Sequence, residues 1–221
     1  NLFSYIKNKY ITFVGNAGSY FAEGAYESTI EIKGDTLDWA GYKAQESNLI
    51  FKRNVGDYVG AFSKHTTIEI SGDAGNHAGC CMENSYMLIR GNAGDYLGEN
   101  ANNTVIEVKE NVKDHAGCCM TNGELYIRKN AGNYLGINSL ETLIYVGRNV
   151  GKCAGCYMAG GILIIGGSFG EDLGKETVNS IIRVEKINLE DYNKLSARII
   201  YEGGNIDDLI REWMERRRNK I

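Results

Sequence analysis

Apolar residues recur along this chain in two files set two positions apart. One runs Ile30, Leu49, Ile68, Met87, Ile106, Leu125, Ile144, Leu163, Ile182; the other runs Ile32, Phe51, Ile70, Ile89, Val108, Ile127, Val146, Ile165, Val184. The position between them changes character: Glu31, Ile50, Glu69, Leu88, Glu107, Tyr126, Tyr145, Ile164, Arg183. Two apolar positions flanking a variable one is the period-2 mark of a strand with one buried face. Each file advances by nineteen positions at every step, so the pattern predicts one strand per 19-residue unit. That period is too short for a four-stranded propeller blade and contains no helical periodicity.

Glycine punctuates the same units. Gly41, Gly60, Gly79, Gly98, Gly117, Gly136, Gly155 and Gly174 follow one another at that same interval, and Ala22 extends the series backwards. Four residues earlier lies a second glycine column, interrupted by Leu37 and Lys113. Nine turns in one register predict an all-β fold, a parallel β-helix whose turns hydrogen-bond at about 4.8 Å and build a rod on the order of 40 Å long. A finer alternation doubles the unit to two turns. The position before the glycine anchor runs Phe21, Ala40, Val59, Ala78, Leu97, Ala116, Leu135, Ala154, Leu173, while three positions after it Met82, Met120 and Met158 occur in Ala turns, with Ala44 as the exception. A small residue on one wall leaves volume for a large one from the other, so these methionines are expected to fill the core.

The ends of a solenoid need cover. Leu2 to Ile11 is expected to cap the first turn. After Val184 the glycine pattern stops, and residues 1–187 are therefore assigned to the β-helix and 188–221 to a C-terminal helical cap. Asn205 is placed as N-cap, Asp207 and Asp208 lie in the first helical turn, and Arg216 to Arg218 in the last.

Composition narrows the class. The chain has 28 Gly and no Pro in 221 residues, where average usage gives roughly 15 and 11. A formal net charge of −4 argues against a nucleic-acid binder. There is no apolar run of membrane-spanning length, and Asn1 to Val14 lacks the order of a signal peptide. Six cysteines in that context read as reduced thiols in a cytoplasm.

Side chains capable of chemistry gather at one phase of the repeat. Two before the anchor the column reads Tyr20, Trp39, Tyr58, His77, Tyr96, His115, Tyr134, Cys153, Asp172, and one after it come Cys80, Cys118 and Cys156. The resulting pairs His77/Cys80, His115/Cys118 and Cys153/Cys156 have chelating spacing, but each supplies two ligands where a structural zinc takes four. The pairs recur two turns, roughly 9.6 Å, apart, beyond disulfide reach. An aromatic and imidazole ladder with small thiols beside it is therefore expected. A nucleophile–base reading would set Cys81 or Cys119 near His77 or His115, but recurrence in alternate turns speaks for architecture. No P-loop, GxGxxG or GxSxG motif is present. No catalytic, cofactor-binding or metal-binding residue is assigned, and no cofactor. In the outward file, Tyr126, Tyr145 and Ile164 form a candidate contact patch.

Written out, the motif is GxxGxxxG, as in Gly72-Asp-Ala-Gly75-Asn-His-Ala-Gly79 and Gly91-Asn-Ala-Gly94-Asp-Tyr-Leu-Gly98. It resembles the glycine-repeat β-helix found both in the C-terminal domain of the glutamate synthase large chain and in the β-helical chain of formylmethanofuran dehydrogenase, over about Gly15 to Val184. Asp114-His115-Ala-Gly117-Cys118-Cys119-Met120-Thr121-Asn-Gly123 is similar to the Asp-His-Gly-Cys-x-x-Met-Thr-Gly-Gly stretch of the glutamate synthase domain. The resemblance implies a right-handed β-helix without catalytic residues, bracing other parts of an oxidoreductase complex. Its partners would be the other subunits of that complex or further copies of the chain. A chain of the formylmethanofuran dehydrogenase kind, and an independent enzyme or metal protein using the His/Cys edge, are the alternatives.

Overall fold

A computed structural model describes residues 3–185 together with Arg211 and Glu215. Ten four-residue strands occur in chain order: β1 (Tyr10–Phe13), β2 (Thr29–Ile32), β3 (Asn48–Phe51), β4 (Thr67–Ile70), β5 (Tyr86–Ile89), β6 (Val105–Val108), β7 (Glu124–Ile127), β8 (Leu143–Val146), β9 (Ile162–Ile165) and β10 (Ile181–Val184). They form a single parallel sheet in sequence order. Each strand residue pairs with its counterpart one repeat further on, as in Tyr10↔Thr29 and Ile30↔Leu49. The sheet is therefore the winding surface of a β-solenoid. Turns also meet along two further lines, one through Tyr26, Gln45, Lys64 and Glu83, the other through Thr36, Val55, Ala74 and Ala93.

The two apolar files point inward, with exposures between 0% and 5% from Ile30 to Val184. The position between them faces out, giving most strands an alternating half-buried and buried pattern. The alternation before and after the anchor packs as expected: Ala78, Ala116 and Ala154 are buried with Met82, Met120 and Met158, all at 0% exposure. The methionines belong to the continuous core.

Hydrogen bonds explain why short strands suffice. At the glycine corner two turns overlap: Tyr42 N–H donates to Trp39 O (3.2 Å), and Ala44 N–H to Gly41 O (3.1 Å). Each needs positive φ at its third residue, met by Gly41 (φ 71°) and Lys43 (φ 55°). The same corner is bonded in both axial directions, Trp39 N–H to Asp57 O in the next turn and Gly41 N–H to Phe21 O in the previous one (2.8 Å each). At Gly60 (φ 68°) a Cβ would stand 2.3 Å from Ile68 Cδ1, so conformation and space both select glycine there.

Two asparagine and aspartate columns add a side-chain ladder that the glycine spacing does not announce. Asn16, Asp35, Asn54, Asp73, Asn92, Asn111 and Asn130 each use Oδ1 to accept the backbone N–H of the same column one turn on, at 2.6–3.2 Å. Asp38, Asp57, Asn76, Asp95, Asp114 and Asn133 do the same at 2.7–3.1 Å. The second glycine column lies against these oxygens. A Cβ on Gly56 would be 2.3 Å from Asp38 Oδ1. Leu37 and Lys113 replace that glycine without breaking the bridges beside them, Thr36↔Val55 and Val112↔Ala131.

The N-terminal segment corrects the expectation of a separate cap. Phe3 occupies the anchor position with φ 61°, Lys7 bridges Tyr26, and β1 pairs with β2. Residues 3–13 are thus one more turn of the coil, so the sheet has ten strands where the apolar files predict nine. The terminal opening is filled by Phe3, Phe13 and Phe21, whose ring centroids are each 5.7 Å apart. At the other end the expected C-terminal helical cap over 188–221 lies outside the described residues, apart from Arg211 and Glu215, both exposed with helical backbone.

Candidate functional site

The column two before the anchor takes the left-handed conformation in every turn, from Tyr20 (φ 62°) to Asp172 (φ 58°). Repetition of that backbone at the inter-turn spacing aims each side chain the same way, so the rings stack. Trp39–Tyr58, Tyr58–His77, His77–Tyr96, Tyr96–His115 and His115–Tyr134 have centroid separations of 4.1, 4.6, 4.8, 4.6 and 4.8 Å, with interplanar angles between 1° and 17°. Tyr20 extends the stack over Trp39 at 5.9 Å. Lys152 Nζ sits over Tyr134 at 5.4 Å. The expected aromatic and imidazole ladder is present, and both histidines are held inside it.

Beside the ladder, the column one after the anchor begins with aromatic packing and continues with thiols. Tyr42 stands edge-on to Trp39 (5.3 Å) and to Phe62 (5.8 Å). Further along, Cys80 is buried at 8% exposure and Cys156 at 0%, while Cys81, Cys118, Cys119 and Cys153 are half-buried. All six are free thiols. Burial, followed by the neighbouring thiol, pushes Cys80 and Cys118 up to about 12. Cys156 is pushed up to about 12 by burial and by Cys153, and its Sγ donates to Asp172 O at 3.1 Å.

The histidine–cysteine pairs are not joined directly; Glu99 joins one of them. Its Oε2 lies 3.0 Å from His77 Nδ1 and 3.9 Å from Cys80 Sγ. It stands in the cysteine column one turn after Cys80 and one before Cys118, so reading that column continuously would have found it. The closest thiol contacts are between adjacent cysteines: Cys80 Sγ···Cys81 Sγ at 3.5 Å and Cys118 Sγ···Cys119 Sγ at 3.6 Å. Among the described residues no group of three or more His, Cys, Asp or Glu is arranged to hold a metal ion.

The outward patch differs from expectation in its exposure. Ile164 is fully buried and forms a second apolar cluster with Leu143 and Ile162, against which Tyr126, Tyr145 and Ile181 pack. Tyr126 donates to Glu124 Oε2 (2.8 Å), and burial followed by that carboxylate raises its phenol above the usual range. In the preceding turns the outward file alternates Glu31, Glu69 and Glu107 with Ile50 and Leu88; Glu107 pairs with Lys109 and with Arg128 Nη2 (2.8 Å), contacts that lower its carboxyl below the usual value. An open polar groove lined by His65, Thr67, Asn84, Tyr86 and Asn103 runs beside β4 and β5.

These features define a parallel β-solenoid whose reactive side chains are built into axial ladders. Compared with known proteins, the chain matches no family model, no curated protein and no solved structure. Among the described residues no helix is long and apolar enough to cross a membrane.

Proposed function

We propose that this chain is a non-catalytic scaffold subunit of the glycine-repeat β-helix kind, acting in the cytoplasm within an oxidoreductase complex similar to glutamate synthase. A right-handed coil closed by a C-terminal helical cap over 188–221 belongs to the same reading. The observation that carries it is the employment of the polar and aromatic side chains. Both histidines of the His/Cys edge are stacked between tyrosines, and the Asn and Asp columns spend their oxygens on the backbone of the next turn. Groups tied up in this way serve rigidity.

The test is affinity capture of the tagged chain from its native cells. Co-recovery of glutamine-amidotransferase and flavin-domain chains is the expected outcome. Recovery of molybdenum- or tungsten-enzyme chains would assign it to a complex of the dehydrogenase kind. A chain recovered alone that turns over a substrate, losing that activity on a single substitution, would refute the scaffold reading.

A further inference from the structure

Adjacent residues of an extended chain project to opposite faces, so neighbouring cysteines are ordinarily held apart. Here they are not. Cys81 and Cys119 occupy the left-handed region (φ 55° and 54°), and the bend places each thiol beside that of the preceding residue, at 3.5 Å in the pair Cys80–Cys81 and 3.6 Å in the pair Cys118–Cys119. The arrangement occurs twice, two turns apart, with Glu99 in the turn between. A disulfide has S–S of about 2.05 Å, so closure brings the sulfurs together by roughly 1.5 Å, and because adjacent Cα atoms stand only about 3.8 Å apart, below the usual span of ~4.4–6.8 Å, the ring formed is strained and readily reduced.

We propose that Cys80–Cys81 and Cys118–Cys119 are vicinal dithiols that close to disulfides by exchange with low-molecular-weight disulfides, making this edge of the solenoid a reversible thiol-redox site. In the first pair the division of labour follows from exposure. Cys81 is more open than Cys80, and attack on the external disulfide starts from the accessible thiol as its thiolate. A Cys81 S–S bond to one half of the reagent forms, and the other half leaves as a thiolate. Cys80, whose thiol rests on Glu99 Oε2 at 3.9 Å with that carboxylate in turn held by His77 Nδ1 at 3.0 Å, then attacks Cys81 Sγ as its proton leaves to solvent. The second half of the reagent leaves as a thiolate. Protonation of both leaving thiolates takes up the two protons released, so the protein dithiol is oxidised to a disulfide and one external disulfide is reduced to two thiols. The high pKa that burial gives Cys80 keeps it unreactive toward the reagent itself and confines it to the intramolecular step.

Trypsin makes the site readable, because the pairs fall in different peptides: residues 65–90, 114–128, and 153–175 for Cys153 and Cys156. The full-length protein is incubated with glutathione disulfide, remaining thiols are blocked, and the peptides are examined by tandem mass spectrometry. The expected result is loss of two hydrogens within 65–90 and within 114–128, without retained glutathione, reversed by a dithiol reductant. In Cys80→Ser the same treatment leaves glutathione stably attached to Cys81. Retained glutathione on both wild-type pairs would overturn the proposal, as would unreacted thiols, disulfides between chains, or an unmodified Cys81 in Cys80→Ser.

Discussion

The alternation between Ala and Met turns makes a prediction in which two harmful substitutions correct each other. Met120 and Ala116 are both at 0% exposure in the same core. Met120→Ala removes most of a buried side chain and is expected to cost about 3 kcal/mol, within the usual range of about 2–5. Ala116→Leu inserts volume into a filled core and is expected to cost about 2 kcal/mol. Independent effects would sum to about 5 kcal/mol. The double variant Ala116→Leu/Met120→Ala instead reproduces the neighbouring turn, where Leu97 faces a core shared with Ala101, and is expected to lose about 2 kcal/mol or less. The coupling is therefore about 3 kcal/mol, well above the ~0.5 kcal/mol within which independent sites add. A third position sharpens the test. A Cβ on Gly123 would be 2.4 Å from Met120 Cε, whereas Thr104 holds that place in the preceding turn and bonds Asn102 O (3.0 Å) and Met82 O (3.3 Å). Gly123→Thr should destabilise the wild type, and should cost less in the double variant, where the Met120 obstacle is gone but Thr104 O still stands 2.9 Å from the new Cβ. Urea unfolding followed by far-ultraviolet circular dichroism reads all five variants against the wild type, with a constant m-value as the check that the same transition is compared. Additivity of the two single effects to within about 0.5 kcal/mol would refute complementary packing as the reason for the two-turn unit. An equal cost of Gly123→Thr in both backgrounds would refute it as well.

Three other outcomes are expected. Ser63 and Ser139 are buried with unpartnered hydroxyls; Ser63→Ala and Ser139→Ala should each stabilise by about 1 kcal/mol, and a lowered urea midpoint would show the hydroxyls to be satisfied. In the ring ladder, His77→Ala breaks two near-parallel stacks and should cost about 1–3 kcal/mol. Tyr20→Ala, which removes one long stack on Trp39 at 5.9 Å and an edge contact with Tyr42 at 6.4 Å, should cost about 1 kcal/mol, and equal thermal shifts would count against stacking as the source. Glu107 and Asp114 have carboxyls held below their ordinary values of 4.5 and 3.8, the first by Lys109 and Arg128, the second by the Asn133 backbone N–H. A carboxyl lowered in the folded state contributes stability that is complete above its unfolded value and lost as pH falls through the folded one. The variant Glu107→Gln/Asp114→Asn should therefore show a flatter fall in melting temperature than wild type below about pH 4.5; parallel curves would mean these pairings do not carry the acid sensitivity.

Periodicity alone determined a great deal here. Two apolar files set two positions apart and repeating once per turn can only be reconciled with one strand per turn, because a shift of a single residue would expose every apolar side chain in the sheet. The ring ladder was legible for the same reason: a column repeated at the inter-turn spacing must stack. What the sequence hid was whatever depends on backbone conformation or on a neighbour in another turn. The two apolar files in fact run back to Ile11 and Phe13, so the tenth strand was legible; hidden was the corner at Phe3, where hydrogen bonding to the next turn, Tyr5 N–H to Glu23 O, and not glycine, sustains the left-handed conformation. The Asn and Asp columns have the look of loop residues, but their oxygens cap the N–H groups of the following turn, where the short strands leave backbone donors to satisfy. Ile164, outward by its place in the strand, is buried, whereas Glu99, between Cys80 and Cys118 in one column, was there to be read. The contact between adjacent thiols belongs wholly to the tertiary structure. It follows from a positive φ at Cys81 and Cys119 that no residue type announces, because in this coil Lys, Phe, Asn and Tyr adopt it at the same place.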